Sequence, residues 1–349
     1  MRAELVPQEA WQVDPARWLG GLLCQDLRAP DGTLLLPKGH RLERADDVLL
    51  EAASRAPLHL IFLGPSDVDE DTAAERLAAR VAGRGLTITR PVESQVNCRA
   101  TARGLLRVDA EALAALNSHQ GVTVFTLPDA MPVDRGRAVA GVKITALGIP
   151  EGDLAAAEAS AGAGPRPLVD VLPFQPLRVG VVVCEGLTPQ RRARFEDALR
   201  LKVGWLGGSV AGVEYPGERH LVDARSLAGA AAGVDLLLVA GVASTDPLDP
   251  PWLALLAAGA EEVRRGLPAH PGSSYWVVRL GGCDVVGVAS CGMFSRRTVL
   301  DVLLCRRFAG GELDRPFLAS LGHGGLLARE LAHRFPDYGR DGEAAPEDS

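Results

Sequence analysis

Positive charge, metal-ligand spacing and long apolar runs are all scarce in this sequence. Lys and Arg number 37 against 44 Asp and Glu, a formal net charge of -7. That balance excludes nucleic acid as the main partner, because phosphate backbones are held by a basic face. No uninterrupted apolar stretch reaches the roughly 20 residues a membrane-spanning helix needs. The first residues, MRAELVPQEAWQVDPARW, carry acids and prolines where a secretion signal has an apolar centre. A cytoplasmic protein with no membrane partner is the expectation. The six cysteines (Cys24, Cys98, Cys184, Cys283, Cys291, Cys305) make no CxxC pair, and the seven histidines are scattered. Buried reduced thiols are expected, and a zinc site has no support. There is no G-x-S-x-G elbow and no Walker glycine-lysine loop, and no G-x-G-x-x-G follows the apolar run at 177–184. Hydrolases with that elbow, P-loop enzymes and dinucleotide-binding folds lose their usual signatures.

What is present is a chain of 349 residues, 47% hydrophobic and 23% charged, long enough for two cored domains. EGDLAAAEASAGAGPRP, Glu151 to Pro167, is rich in alanine and glycine and ends in prolines, which reads as a linker. RFPDYGRDGEAAPEDS, from Arg334 on, reads as a disordered tail. The expected division is an N-terminal α+β domain over 1–150, a linker over 151–175, an α/β domain over 176–330, and a tail over 331–349.

The C-terminal part alternates strand and helix patterns. LRVGVVVC is a doubly buried strand. TPQRRARFEDALRLKV is a helix capped by Thr188 with Pro189 at its first position. GGSVAGVEYP, DARSLAGAAAG, VDLLLVAG and PPWLALLAAGAEEVRRG continue the alternation as strand, helix, strand, helix. A hairpin around Gly281-Gly282 and a helix in SRRTVLDVLLCRRFAG close it. This pattern predicts a three-layer αβα sandwich with a mostly parallel sheet. Ligands bind beyond the carboxyl ends of such strands, so three loops should converge: 185–189, 241–251 and 290–297.

The middle loop, in VDLLLVAGVASTDPLDP, is both small and acidic. Gly241 would let backbone amides approach a ligand, and Asp246 and Asp249 would hold a hard cation beside an anionic group. The alternative is a plain strand-to-helix connection, with Asp249 capping a helix that starts at Pro250. Arg296 and Arg297 sit where a helix N-terminus disfavours cations, which favours an anion site there.

LRVGVVVCEG, LLLVAGVASTDPLDP, PAHPGSSYWVVRLGGCDVVGVASCGMFSRRTVLDVLLCRRFAGG and FLASLGHGGLL, in that order over about 176–327, resemble the molybdopterin-binding domain. That domain, MoaB/Mog-like, occurs in molybdopterin molybdenumtransferases and in stand-alone molybdopterin-binding proteins. KGHRL, DVDEDTAAERLA, GLLRVDAEALAALN and VAGVKI are similar to N-terminal regions of a bacterial branch of the family. The resemblance implies a role in molybdenum cofactor biosynthesis, as a divergent molybdenumtransferase-like protein. The alternative it allows is a non-catalytic carrier or maturation factor for a molybdoenzyme client. It implies ligand contacts at Gly241, Ser244, Thr245, Pro271, Gly272, Ser273, Ser290, Gly292 and Arg296. It also implies a magnesium ion at Asp246 and Asp249, which would be the catalytic pair. Molybdopterin or its adenylylated form, molybdate, and further copies of the chain are the partners that follow. The chain departs from the family pattern at Ala240 and Ala243, at Ser273 where transferases carry lysine, and at Ser290-Cys291-Gly292, which lacks a proline-glycine pair. Ligand binding with poor molybdenum insertion is therefore expected.

Overall fold

A computed structural model describes residues 1–7, 10, 13–47, 50, 57–92, 94–294 and 297–338. The chain is α/β in content and divides into two units that share the N-terminal half. The first comprises Met1–Thr101, Val108–Asp129 and Gly136–Asp170; the second comprises Ala102–Arg107, Ala130–Arg135 and Val171–Ser349. The expected boundary near residue 150 is thus replaced by an interleaved one.

In the first unit, Leu27–Arg28 pairs with Leu34–Leu36 around the Pro30-Asp31-Gly32 turn. Helix Glu70–Val81 starts at Asp69, whose side chain accepts from the Thr72 amide. It buries Ala73, Ala74, Leu77, Ala78 and Val81, the apolar stripe of an amphipathic helix. The stretch ERADDVLLEAASRA (43–56) reads as a helix in the sequence, and its residues 48–49 and 51–56 lie outside the described residues. The segment expected as a linker instead holds helix Glu151–Ala161. Alanine is the strongest helix former, and Leu154, Ala157 and Ala161 give this helix a buried face. Arg76 ties it down, with hydrogen bonds to Glu151 at 2.7 and 2.8 Å and to Glu158 at 3.0 Å.

Among its described residues the second unit holds a six-stranded sheet. Its strands are β1 (Arg178–Val183), β2 (Ser209–Glu214), β3 (Leu236–Val242), β4 (Glu261–Arg265), β5 (Trp276–Leu280) and β6 (Cys283–Ala289), in the order β2-β1-β3-β6-β5-β4. β2, β1, β3 and β6 run parallel; β5 and β4 pair antiparallel. The helices are α1 (Pro189–Trp205), α2 (Ala224–Ala231), α3 (Pro250–Ala257), α4 (Val299–Phe308) and α5 (Arg315–Ser320). Alternate strand positions feed two cores. Val179, Val181, Leu236 and Leu238 pack with Phe195 and Leu199 of α1 and Leu303 and Phe308 of α4. Val182, Leu237 and Val239 pack with Leu227 of α2 and Trp252 and Leu255 of α3. This period of two is what a sheet buried on both faces requires.

Two sequence expectations change here. The helix expected through EEVRRG ends at Ala257, and Glu261–Arg265 becomes edge strand β4. Gly259, at φ +87°, takes the left-handed turn that commonly stops a helix. The expected tail is ordered through residue 338: Phe335 is buried, and the Tyr338 hydroxyl donates to Asp301. Residues 339–349 lie outside the described residues. No described helix is long and apolar enough to cross a membrane.

Candidate functional site at the carboxyl ends of the parallel strands

β1 runs out through Cys184 to Glu185, and the Cys184 amide still donates to Ala240 at 2.8 Å. Burial pushes the Cys184 thiol up to about 12, so it is inert. Cys98 and Cys283, pushed up to about 11, and Cys305 are likewise free and buried, and Cys24 is half-buried. The Cys291 side chain lies outside the described residues.

Glu185 is the hub that sequence reasoning missed. Its carboxylate accepts from the Ser290 hydroxyl at the end of β6. Its side chain also fills the space beside Gly241 near the end of β3, where an added Cβ would meet Glu185 Cγ at 3.0 Å. Gly241 has φ +82°, and the β3–β6 register shifts between Ala240 and Val242. A glycine is needed there for conformation and for close approach. An acid placed directly after an apolar strand was the available signal for Glu185.

The loop after β3 folds on itself. Asp246 Oδ1 accepts from the Leu248 amide at 2.9 Å, and Asp249 Oδ2 accepts from the Ala243 amide at 3.0 Å. Asp249 stands at the start of α3, yet its side chain does not cap the helix. It turns back into the loop and is 1% exposed. Pro250 and Pro251 leave the first turn of α3 without its first two N–H donors, so this helix start is a poor anion cradle. Positive charge comes from side chains instead. Arg219, beyond β2, donates to the Gly241 carbonyl at 3.3 Å and lies 3.6 Å from Asp249 Oδ1. Arg265 donates to the Asp246 carbonyl. Asp249 Oδ1 and Ser244 Oγ are buried without a hydrogen-bond partner. Burial pushes the Asp249 carboxyl above its ordinary value; the Ala243 amide and Arg219 oppose that, and Asp246 adds to it.

The 270–274 loop, between β4 and β5, and the 290–297 loop meet at the start of α4. The Val299 amide donates to the Pro271 carbonyl at 3.0 Å, and a Cβ on Gly272 would lie 2.3 Å from Val299 Cγ1. The Tyr275 ring occupies the space beside Gly292, where a Cβ would meet its hydroxyl at 1.7 Å. Gly241, Asp249 and Ser290 are thus gathered around Glu185 and Arg219, while Gly272 and Gly292 are linked through Tyr275, whose amide donates to the Gly272 carbonyl at 3.0 Å. Thr245, Asp246 and Ser273 are exposed. Arg296 lies outside the described residues, and the Arg297 guanidinium is 5.9 Å from the Phe335 ring centroid.

The chain is similar, at a distance, to molybdopterin biosynthesis proteins. A molybdopterin biosynthesis MoeA protein from Pyrococcus horikoshii is 16% identical with a TM-score of 0.29, over 88% of this chain and 76% of that one. A molybdenum cofactor biosynthesis protein from Pyrococcus furiosus is 18% identical with a TM-score of 0.24, over 59% and 74%. A second MoeA structure from Pyrococcus horikoshii is 10% identical with a TM-score of 0.22, over 70% and 80%. Likenesses this distant assign no activity to the chain. No family model matches it, and neither does any curated protein.

A magnesium ion fits this loop only in part. Among the described residues no group of three or more His, Cys, Asp or Glu side chains is placed to hold a metal. Mg2+ needs only one or two carboxylates when ligand phosphates complete its shell. Asp249 Oδ1 is an orphaned oxygen of the right kind, but the Arg219 guanidinium 3.6 Å away competes with a cation for it.

Proposed function

We propose that the protein binds molybdopterin at the loops beyond β1, β3 and β6, acting in molybdenum cofactor biosynthesis. The observation that carries this reading is the half-exposed Arg219 at the buried Asp249 carboxylate, in a loop whose Ser244 Oγ and Asp249 Oδ1 are buried without a hydrogen-bond partner. Buried polar atoms without partners are costly and rare; a phosphate could accept from the Ser244 hydroxyl, and a ligand donor or cation could satisfy the Asp249 oxygen. A phosphate set against Arg219 would gain charge-assisted hydrogen bonds and offer an acceptor to the Ser244 hydroxyl. The ordered run of segments resembling the molybdopterin-binding domain supports the choice of ligand. The test is a fluorescence titration of molybdopterin against wild type, Arg219→Ala and Ser244→Ala. Wild type should bind, Arg219→Ala on the order of tenfold or more weaker. A wild type that fails to bind rejects the proposal.

A transferase rather than a carrier is the second reading, and it would draw on the acidic pair Asp246 and Asp249. Asp246 is exposed and close enough to raise the Asp249 carboxyl, a like-charge pair that a phosphate-bound Mg2+ would relieve. Release of active cofactor from adenylylated molybdopterin, molybdate and Mg2+ separates the two. Ser273 is exposed, so Ser273→Lys is sterically open. Weak release that Ser273→Lys improves supports a binder that has lost an insertion charge. Efficient release by the unmodified chain makes it a transferase.

A further inference from the structure

We infer that Tyr338 is a positioning residue for the 270–274 and 290–297 loops, acting on them through Asp301 and the start of α4.

Residues 334–338 fold back as a strap on the second unit. Phe335 is buried, and Arg334 donates to the Gly324 carbonyl. The Tyr338 ring packs edge-on against Trp205, with centroids 6.1 Å apart, and lies 5.5 Å from Lys202 Nζ. Its hydroxyl donates to Asp301 Oδ1, the oxygen that also accepts from Lys202 at 2.6 Å. Asp301 and Lys202 are 1% and 7% exposed, so this is a buried charge network. Burial and the Asp301 charge hold the Tyr338 hydroxyl far above the ordinary phenol range, and it therefore remains a donor.

Asp301 has a second task. Its Oδ2 accepts from the Thr298 amide at 2.9 Å, while Thr298 Oγ1 accepts from the Leu300 amide at 3.2 Å. This reciprocal box fixes the first turn of α4. The same turn presents the Val299 amide to Pro271 and the Val299 side chain to Gly272. One carboxylate thus joins the strap, α1 through Lys202, and the helix start on which both loops rest. A buried carboxylate with three donors keeps one geometry; removing the Tyr338 donor leaves Lys202 and the Thr298 amide to hold it and loosens its grip on the first turn of α4.

The inference rests on the proposed pterin reading only in naming the ligand, and its test is chosen accordingly. Hydrogen exchange of the full chain is compared between wild type and Tyr338→Phe, which removes the hydroxyl and keeps the ring. The amides of Thr298, Leu300 and Asp301 should exchange on the order of tenfold faster, as expected for one lost hydrogen bond to a charged group. Those of helix Glu70–Val81 in the other unit should not change. Molybdopterin binding should weaken several-fold, and the melting temperature should fall by a few degrees. A chain ending at Asp337 is a second variant that keeps Phe335 in place, and it should reproduce the effect. Wild-type exchange at Thr298–Asp301 in both variants overturns the inference. A wild type that binds no pterin counts against the proposed function, and the exchange arm then decides the role of Tyr338 alone.

Discussion

The Ser290 hydroxyl donates to the Glu185 carboxylate across 105 positions of sequence, joining the end of β6 to the end of β1. Because Glu185 also abuts Gly241 on β3, one side chain sets the spacing of three strand ends. Ser290→Ala removes the donor and should cost about 1 kcal/mol, a few degrees of melting temperature for a unit this size. Pterin binding should fall by more than that loss of stability explains. Glu185→Gln keeps an acceptor and should do less harm. Equal, small effects of both on binding would remove Glu185 from the site.

The glycines of the second unit should differ in tolerance according to what surrounds them. Gly281→Ala adds a Cβ in open space at φ +58° and carries only the left-handed penalty, about 1 kcal/mol. Gly241→Ala adds a tight contact with the flexible Glu185 chain, for about 2 kcal/mol. Gly272→Ala drives its Cβ into Val299 at the head of α4 and should cost more than either. Urea midpoints measured on the three variants should follow that order; Gly281→Ala as the most harmful would contradict it.

Asp249 gives a pH signature with a definite sign. Its folded-state value is raised by burial, so on raising pH the unfolded chain loses its proton first. Stability contributed by the protonated group is complete below the ordinary carboxylate value, near pH 4, and is lost as pH climbs through the raised one. Asp249→Asn cannot ionise. Its melting temperature relative to wild type should therefore rise across that window and level off above it. A difference that shrinks with rising pH would show that the carboxylate is stabilised as the anion.

Limited proteolysis tests the revised boundary. Helix Glu151–Ala161 is pinned by Arg76 and by its buried Leu154, whereas residues 162–166 are exposed. A nonspecific protease should cut first within 162–166 and spare the helix. Early cuts between Glu151 and Ala161 would mean the helix frays in solution.

The second unit was legible because its signals are local. β-branched runs, Thr188 with Pro189, and the glycine pair at 281–282 each specify their element without distant help. The convergence of loops follows from strand polarity. Other features depend on tertiary partners and escaped the sequence. Arg219 matters only because β2 lies beside β1 at the sheet edge, which brings it to Asp249. Asp249 does not cap α3, the alternative its position at the start of the helix offered, because its carboxylate accepts from the Ala243 amide, six residues back. Glu151–Ala161 looked like a tether because composition does not reveal Arg76, 75 positions upstream, as its anchor.

The interleaving of the two units bears on how such a gene can change. Val133 pairs with Gly104, and Gly104 lies against the Leu172 carbonyl, where an added Cβ would come within 2.3 Å. Part of the second unit's fabric is therefore encoded before the first unit is complete. No single breakpoint yields two whole parts. A fusion or truncation made near codon 150 or 175 would strip Gly104–Arg107 and Pro132–Val133 from the portion that carries the loops. Recombination can move this fold as one cassette, and an emerging ribosomal chain must hold those early strands in waiting until Val171 arrives.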